Sequence, residues 1–270
     1  MKKIKSVTIR DSITFGESSP FVLISGPCVI ESEEHTFYMA KEIKKITSKL
    51  GIPFIFKASF DKANRTRLQN YRGVSIEEAS HIFSRIRNEL NIPVTTDIHE
   101  SWQADVLKDS IDLIQIPAFL CRQTDLLVAA AKTGLPINIK KAQFVNGVDM
   151  ERVVNKVVLS GNGNVLLTER GNTFGYGDYV VDMRNLVTMR DYTPVIFDAT
   201  HSVQKGCSGG SSGSNRHFIE PLAKAAVAVG VDGLFLEVHD NPDNALPDGT
   251  SSIKLSELEV MLNNICKVVG

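Results

Sequence analysis

Short apolar runs alternate with longer amphipathic segments along the whole chain. Most runs are four to nine residues long and rich in Val, Ile, Leu and Phe, which is typical of parallel strands buried on both faces. The pattern predicts eight strands, at 21–30, 52–60, 93–99, 113–117, 136–140, 164–170, 194–201 and 232–239.

The segments between these runs carry apolar residues at three- and four-residue steps, which predicts helices with one buried face. Glycines at 51, 134, 161 and 230 follow four of the segments, where a left-handed residue ends a helix. The predicted helices are 33–50, 76–90, 101–109, 122–133, 149–160, 182–190, 216–229 and 255–268.

Strand and helix alternate eight times with nothing left over. This α/β pattern predicts a closed (β/α)8 barrel of the TIM type. An open dinucleotide-binding sheet would need a G-x-G-x-x-G turn after an early strand, and the sequence has none. Alternating residues at 6–16 predict a hairpin that caps the bottom of the barrel. We expect one catalytic domain over 1–270, with the hairpin segment at 1–20.

Charge and cysteine content argue against several classes of protein. Lys and Arg number 30 against 31 Asp and Glu, a net charge of −1, so no global field attracts nucleic acid or an anionic membrane. The four cysteines are scattered without a C-x-x-C pair, which favours a reducing compartment over a disulfide framework or a zinc ribbon. No apolar stretch suits a membrane span or an export signal. We expect a soluble, cytoplasmic protein whose anion binding is local.

Polar and ionisable side chains collect where the predicted strands end. In a barrel these ends share one rim, which holds the active site, so the asymmetry predicts an enzyme. Three other histidines, His35, His81 and His217, fall on predicted helices and are expected at the surface. The strand-end residues are Cys28, Lys57, Asp97 with His99, Gln115, Lys140, Arg170, His201, and Glu237 with His239.

The loop after the second strand, KASFDKANRTR at 57–67, carries a local charge of +3. Lysine, arginine and hydroxyl groups together suit a phosphate or a carboxylate, although a solvated charge run is the simpler alternative. Lys140 and Arg170 add cations from strands five and six, whereas Lys141 should point away from the interior because side chains alternate. At least five cations then converge, enough for two anionic substrates or one doubly anionic one.

A second constellation combines a thiol, an imidazole and two carboxylates, at Cys28, His201, Glu237 and Asp248. This donor set suits Zn²⁺, Fe²⁺ or Mn²⁺ better than Ca²⁺ or Mg²⁺. Its spacing forms no local motif. From the residues alone a packing role is favoured for Cys28, and His201 with Glu237 equally suits a hydrogen-bonded pair. The glycine-rich stretch 206–213 is either a mobile lid or a plain connector.

Specific motifs then indicate a family. The chain contains GPCVIES at 26–32, KASFDKANR at 57–65, TDIHE at 96–100, QIPAFLCRQTD at 115–125 and ERG at 169–171. From about residue 20 to about 260 it closely resembles the 3-deoxy-D-manno-octulosonate 8-phosphate synthases. The related 3-deoxy-arabino-heptulosonate 7-phosphate synthases share GPC-x-IES but have Lys-Pro-Arg where this chain has Lys62-Ala63-Asn64-Arg65. This difference favours the five-carbon sugar phosphate.

The resemblance implies a condensation of phosphoenolpyruvate with D-arabinose 5-phosphate that releases phosphate, in lipopolysaccharide precursor synthesis by a homotetramer. It assigns phosphoenolpyruvate to Lys62, Lys140 and Arg170, with Lys57, Gln115 and the Ala118 backbone nearby. It assigns binding of the sugar phosphate to Asn64, Arg65, Thr66 and Asp97, and to Arg122 from a neighbouring subunit. The catalytic group is then Lys62, Asp97, Lys140 and His201.

Members of this family are either metal-dependent or metal-independent, and the metal-dependent members have Cys at the position of Cys28. The resemblance therefore implies a divalent metal (Zn, Fe or Mn) held by Cys28, His201, Glu237 and Asp248. Three rival functions stay open at this point. They are the same reaction with erythrose 4-phosphate, a non-catalytic sugar-phosphate sensor, and an unrelated metal-dependent aldolase.

Overall fold

The predicted strands close into a barrel. The computed structural model describes residues 5–16, 21–65, 67–175, 177–204, 215–246 and 251–268. In chain order its strands are β1 (Val7–Ile9), β2 (Ile13–Phe15), β3 (Val22–Gly26), β4 (Phe54–Lys57), β5 (Val94–Asp97), β6 (Leu113–Ile116), β7 (Ile137–Lys140), β8 (Val165–Glu169), β9 (Asn172–Thr173), β10 (Tyr179–Val180), β11 (Val195–Asp198), β12 (Gly233–His239) and β13 (Ile253–Lys254).

Eight of these strands form the barrel wall. Strands β3 to β8 pair in sequence, β8 pairs with β11, and β11 with β12. The circle closes where β12 pairs with β3, with Glu237 opposite Gly26. Every one of these pairings is parallel, so all eight carboxyl ends lie at one end of the barrel. The predicted (β/α)8 fold is confirmed.

The helices also follow the predicted pattern. Helix α1 begins after Ser32, whose hydroxyl accepts from the His35 amide at 3.1 Å, and it ends at Gly51 with φ of 67°, where a left-handed residue stops a helix. Its buried face includes Met39, Ala40 and Ile43. The helices are α1 (Glu33–Leu50), α2 (Ile76–Glu89), α3 (Ser101–Leu107), α4 (Thr124–Lys132), α5 (Met150–Leu159), α6 (Met183–Arg190), α7 (Ile219–Val229) and α8 (Leu255–Cys266).

Alternation along the strands separates an apolar lower interior from a polar upper one. Val22, Ile55, Leu113 and Ile196 belong to one buried cluster inside the barrel. Three of those strands carry a buried polar side chain two residues further along, at Lys57, Gln115 and Asp198. Buried polar side chains also lie near the ends of β7 and β12, at Lys140 and Glu237. Because side chains alternate with a period of two, these polar residues face inward at the carboxyl end.

The predicted N-terminal hairpin plugs the other end. Its strands β1 and β2 pair antiparallel, and Val7, Ile9, Ile13 and Phe15 join the apolar cluster inside the barrel. A Cβ at Gly233 would lie 2.9 Å from the Phe15 ring, so the glycine that opens β12 makes room for the plug.

The outward side of the strand ends carries a buried ion pair. As predicted, Lys141 does not join the inward set. Its Nζ lies 3.2 Å from Oε1 of Glu169, and both side chains have 0% exposure. Lys141 also donates to the Val145 carbonyl at 3.0 Å and to Asn172 Oδ1 at 2.9 Å. The pair thus connects the loops after β7 and β8, directly beside Lys140 and Arg170.

No helix among the described residues is both long and apolar enough to cross a membrane. Thr66, Asp248 and the glycine-rich stretch 206–213, all singled out in the sequence, lie outside the described residues.

Candidate active site

A cavity of about 220 Å³ opens at the carboxyl end of the barrel strands. The described part of its wall contains four cations and two carboxylates, in a chain whose net charge is −1. This concentration of charge at one opening is the main electrostatic feature of the molecule. The lining residues are Lys57, Ser59, Lys62, Ala63, Asn64, Asp97, His99, Gln115, Pro117, Ala118, Phe119, Leu120, Lys140, Arg170, His201 and Glu237.

A larger cavity, of about 280 Å³, lies at the opposite end, between the hairpin turn and the starts of β4 and β5. Its charged lining residues are Arg10 and Lys44, and Lys44 already donates to the Leu90 carbonyl at 2.5 Å. We place the active site in the smaller cavity, because opposed ionisable groups converge there at the end where barrel enzymes do their chemistry.

Ser59 organises one side of the cavity. Its hydroxyl accepts from Lys57 Nζ at 2.8 Å and from Lys62 Nζ at 3.0 Å, and it donates to Asp97 Oδ1 at 2.5 Å. These three bonds use the single proton and both lone pairs of the hydroxyl. Lys57 Nζ also lies 3.2 Å from Asp97 Oδ1. Two ammonium groups are thereby held side by side, facing the cavity.

Burial and neighbouring charge act against each other in this group. Burial lowers the pKa of Lys57, although Asp97 opposes that effect. Burial would also lower the pKa of Lys62, but the nearby Cys28, Glu237 and Asp97 raise the pKa above its ordinary value. Burial would raise the pKa of Asp97, yet Lys57 and His99 hold that pKa well below its usual range. Asp97 is therefore a carboxylate at neutral pH.

Asp198 organises the other side. Its Oδ2 accepts from Lys140 Nζ at 2.6 Å and lies 2.7 Å from His201 Nδ1, and Thr200 donates to its Oδ1 at 3.0 Å. Burial alone would raise the pKa of Asp198, but His201 and Lys140 lower it well below the usual range. Lys140 Nζ also lies 3.8 Å from the centre of the Phe235 ring. Lys140 and His201 are thus fixed by one buried carboxylate.

Arg170 differs from the other three cations in its partners. Within the described part of the chain, no carboxylate lies within 4.0 Å of its guanidinium. Its Nη2 donates to the amide oxygen of Gln204 at 2.9 Å, and its Cζ lies 4.4 Å from the Tyr179 ring centre. Its buried Nη1 has no hydrogen-bond partner among the described residues. Arg170 is therefore the cation best placed to bind an incoming anion.

The proposed metal ligands are partly assembled. His201 Nε2 lies 3.5 Å from Glu237 Oε1, and both Glu237 oxygens are buried without a hydrogen-bond partner. These orphaned oxygens, with an imidazole and a thiol nearby, fit a divalent cation. Among the described residues, however, Cys28, His201 and Glu237 do not form a group whose ligand atoms all lie within 4.8 Å. A metal would have to draw them together.

Some predicted residues lie away from the cavity wall. Arg65 donates to the Tyr71 carbonyl at 3.1 Å, Arg67 is exposed, and neither lines the cavity. Among the described residues, four cations line the cavity, where the sequence predicts at least five. Arg122 is exposed and also does not line the cavity.

Sequence reasoning missed two organising residues, Ser59 and Asp198. Ser59 stands two positions after Lys57, on the same side of an extended chain, which could have suggested it. The sequence predicts a strand that runs through Asp198 to His201, but β11 ends at Asp198 and a 3-10 turn, His201–Val203, follows. Of the three histidines expected at the surface, His81 is 73% exposed and His217 is exposed, whereas His35 is only 18% exposed and contacts Asp240.

Comparison with known proteins identifies the family. The model of the DAHP synthetase I family matches residues 4–268. The chain belongs to this family. Relatives named 2-dehydro-3-deoxyphosphooctonate aldolase include one from Synechococcus sp., 52% identical over 96% of this chain and 92% of the relative. One from Bartonella henselae is 54% identical, covering 98% and 96%, and one from Cyanothece sp. is 51% identical, covering 97% of both.

Proposed function

We propose that this member of the family condenses phosphoenolpyruvate, D-arabinose 5-phosphate and water into 3-deoxy-D-manno-octulosonate 8-phosphate and phosphate. The single observation that carries the proposal is the gathering of Lys57, Lys62, Lys140 and Arg170 around one cavity. Two phosphorylated substrates repel each other, and fixed cations hold them together at little reorganisation cost. The name shared by the relatives, 2-dehydro-3-deoxyphosphooctonate aldolase, supports the same reaction.

The proposed roles are those that the family resemblance implies for these residues. Arg170 and the ammonium groups of Lys62 and Lys140 bind the carboxylate and phosphate of phosphoenolpyruvate, near Lys57, Gln115 and the Ala118 backbone. Asp97 accepts hydrogen bonds from hydroxyl groups of the sugar phosphate. Asn64, Arg65 and Thr66 also bind this substrate, together with Arg122 of a neighbouring subunit. C3 of phosphoenolpyruvate bonds to the aldehyde carbon, water adds at C2, and the phosphorylated hemiketal breaks its C–O bond to release phosphate.

We also propose the metal-dependent form, with Cys28, His201, Glu237 and Asp248 holding Zn²⁺, Fe²⁺ or Mn²⁺. When bound, such an ion supplies Lewis acidity for the aldehyde or for the attacking water. The orphaned Glu237 oxygens support the assignment. The Asp198 carboxylate beside His201 Nδ1 is an outer partner of the kind that orients a ligating histidine.

We further propose a cytoplasmic homotetramer in which residues 1–270 form one catalytic domain. Three loops that follow consecutive barrel strands expose aromatic side chains, at Phe119 (49% exposed), Phe144 (63%) and Phe174 (77%). Exposed apolar surface of this kind supports subunit contact. Sedimentation velocity measures the oligomeric state, and a monomer at assay concentration would contradict it.

The deciding experiment is a colorimetric phosphate-release assay. We expect release that requires both phosphoenolpyruvate and arabinose 5-phosphate, is weak with erythrose 4-phosphate, and does not occur when dihydroxyacetone phosphate replaces phosphoenolpyruvate. Preference for the four-carbon aldehyde would favour the heptulosonate reaction that the family description suggests. Binding of both ligands without phosphate release would favour a sensor.

The metal assignment has its own test in the same assay. Strong chelation should abolish release by the wild type, and divalent metal should restore it. We expect Cys28→Asn to lose most of this metal dependence. A wild type whose release is unchanged by chelation would contradict the ligand assignment while leaving the reaction itself standing.

A further inference from the structure

Two histidines and a glutamate meet near the carboxyl ends of β3 and β12, and none of them lines the active-site cavity. Glu31 follows β3, His35 lies in the first turn of α1, and His239 ends β12. Each offers one ligand atom, and the three atoms lie within 4.8 Å of one another. We propose that they form a second metal site, for Zn²⁺ or a similar transition-metal ion, distinct from the Cys28 set.

The local distances suit such an ion. His239 Nε2 lies 3.2 Å from Glu31 Oε1, close to the separation of two ligands on a tetrahedral zinc with bonds of about 2 Å. The ring centres of His35 and His239 are 4.7 Å apart. The three side chains are 7 to 18% exposed, so bulk water solvates them only in part. Two imidazoles and one carboxylate form a donor set that zinc favours.

Asp240 contacts one ring nitrogen of each of the two histidines. Its Oδ1 lies 3.0 Å from His35 Nε2 and 3.1 Å from His239 Nδ1. When both rings donate to this oxygen, their other nitrogens carry lone pairs, as in metal sites where an outer carboxylate fixes the tautomer. One of these nitrogens, His35 Nδ1, is buried without a hydrogen-bond partner. A metal ion would satisfy it.

The charges around the three ligands also favour a bound cation. Among the described residues, Glu31 and Asp240 have only histidines as ion-pair partners, with no Lys or Arg within 4.0 Å. A divalent cation between the rings compensates both carboxylates. The Asn241 amide approaches His239 Nδ1 at 3.0 Å, so the metal-free ring can instead donate Nε2–H to Glu31. When a metal ion binds Nε2, the neutral ring changes tautomer: its one proton then lies on Nδ1, which faces Asp240 Oδ1.

The position of the site indicates a structural role. None of its three ligands lines the active-site cavity. Glu31 Oε1 also accepts from the Leu246 amide at 3.0 Å, so the ion would connect the turn before α1, the end of β12 and the segment that leads towards Asp248.

Zinc stoichiometry tests the proposal independently of activity. Chelator-stripped protein is dialysed against Zn²⁺ alone and its metal content measured. We expect about two ions per chain in the wild type, about one in His35→Ala, about one in Cys28→Ala and none in the double variant. His81→Ala, which changes a 73% exposed histidine, is the matched control and should bind as the wild type does.

Cobalt replacement separates the two sites spectroscopically. His35→Ala should keep the thiolate-to-cobalt charge-transfer band that Cys28→Ala lacks. Equal zinc binding by His35→Ala and the wild type would overturn the second site, and circular dichroism with His35→Gln as a second variant excludes misfolding as the cause of a loss. If the wild type binds one ion that His35→Ala loses and Cys28→Ala keeps, the second site stands and the proposed Cys28 site fails.

Discussion

Arg170 illustrates how a single side chain can be distinguished among several cations at one cavity. Lys57 and Lys140 lie within 3.2 Å of a carboxylate and Lys62 within 3.9 Å, whereas Arg170 is held by an amide and an aromatic ring. A guanidinium presents a planar fork that matches carboxylate and phosphate oxygens, and lysine does not reproduce it. Its Nη1, which has no hydrogen-bond partner among the described residues, can donate to a bound anion.

We therefore expect Arg170→Ala to raise the KM for phosphoenolpyruvate about 100-fold, with a much smaller change for arabinose 5-phosphate. Arg170→Lys should recover only part of the loss. The measurement is steady-state kinetics with each substrate varied in turn. Arg184→Ala is the control, because that side chain is 90% exposed and pairs locally with Asp182. Equal KM values for Arg170→Ala and the wild type would refute the anchoring role.

Asp97 carries a second prediction at the residue scale, concerning stability and pH. Lys57 and His99 hold the pKa of this buried carboxyl well below its ordinary value of 3.8. The unfolded chain therefore binds a proton at Asp97 before the folded protein does. The stabilisation from Asp97 is complete above about pH 5 and is lost as the pH falls below about 4.

Asp97→Asn should accordingly lower the free energy of unfolding by about 3 kcal/mol at pH 7, since it leaves Lys57 buried beside a neutral amide. The gap between wild type and variant should shrink as the pH falls from 5 to 3. Urea unfolding of the ligand-free protein measures it. Asp105→Asn, at a side chain 82% exposed, should show no gap at any pH. A gap that stays constant down to pH 3 would contradict the charge argument.

At the scale of secondary-structure elements, the hairpin and β12 are coupled by one close contact. The ring of Phe15 occupies the space above Gly233, where an added Cβ would lie 2.9 Å from it and 3.1 Å from Ile196. Phe15→Ala removes a ring with 0% exposure and should cost about 3–5 kcal/mol. Gly233→Ala overpacks the same place and should cost about 1–3 kcal/mol.

The double variant should be less destabilised than the sum of the two changes, because the added methyl group enters the space that the ring leaves. Urea unfolding of all four proteins gives the coupling energy, which we expect to be at least about 1 kcal/mol. Additivity within about 0.5 kcal/mol would mean that the hairpin does not seal the barrel through this contact.

The same elements show what a sequence can predict. Strands buried on both faces produce continuous apolar runs, so all eight wall strands were located, and helix α1 has the predicted bounds. The two-residue strands β9, β10 and β13 were not predicted, since so short a segment has no periodicity. The N-terminal hairpin was found because Val7, Ile9, Ile13 and Phe15 alternate with polar residues.

The expected placement of side chains at the rim is found where position along a strand decides orientation, while the roles of these side chains stay predictions. Lys57, Gln115, Lys140 and Glu237 line the cavity because inward-facing residues at carboxyl ends must meet inside a closed barrel. Contacts that depend on turns were not predictable in this way. The 3-10 turn after β11 brings His201 back over Asp198, and its geometry follows from packing rather than from spacing.

At the scale of the whole molecule, charge is segregated. The net charge is −1, and the lower interior of the barrel is apolar and plugged, while four cations surround the cavity at the other end. An overall neutral surface exerts little long-range attraction, so substrates are attracted only near the mouth. Such an attraction acts over a distance comparable to the Debye length, which is about 10 Å in 0.1 M salt and about 3 Å in 1 M salt.

Added salt should therefore slow capture of the anionic substrates more than it slows the reaction of bound ones. Between about 50 and 500 mM KCl we expect kcat/KM for phosphoenolpyruvate to fall about 3- to 10-fold while kcat changes much less. Arg170→Gln should make kcat/KM less dependent on salt. Lys267→Gln is the control, at an exposed residue beyond the C-terminal end of α8. It should leave the salt dependence unchanged, because that end of the helix faces the bottom of the barrel. If both variants shifted the salt dependence equally, total charge rather than its concentration at the mouth would govern capture.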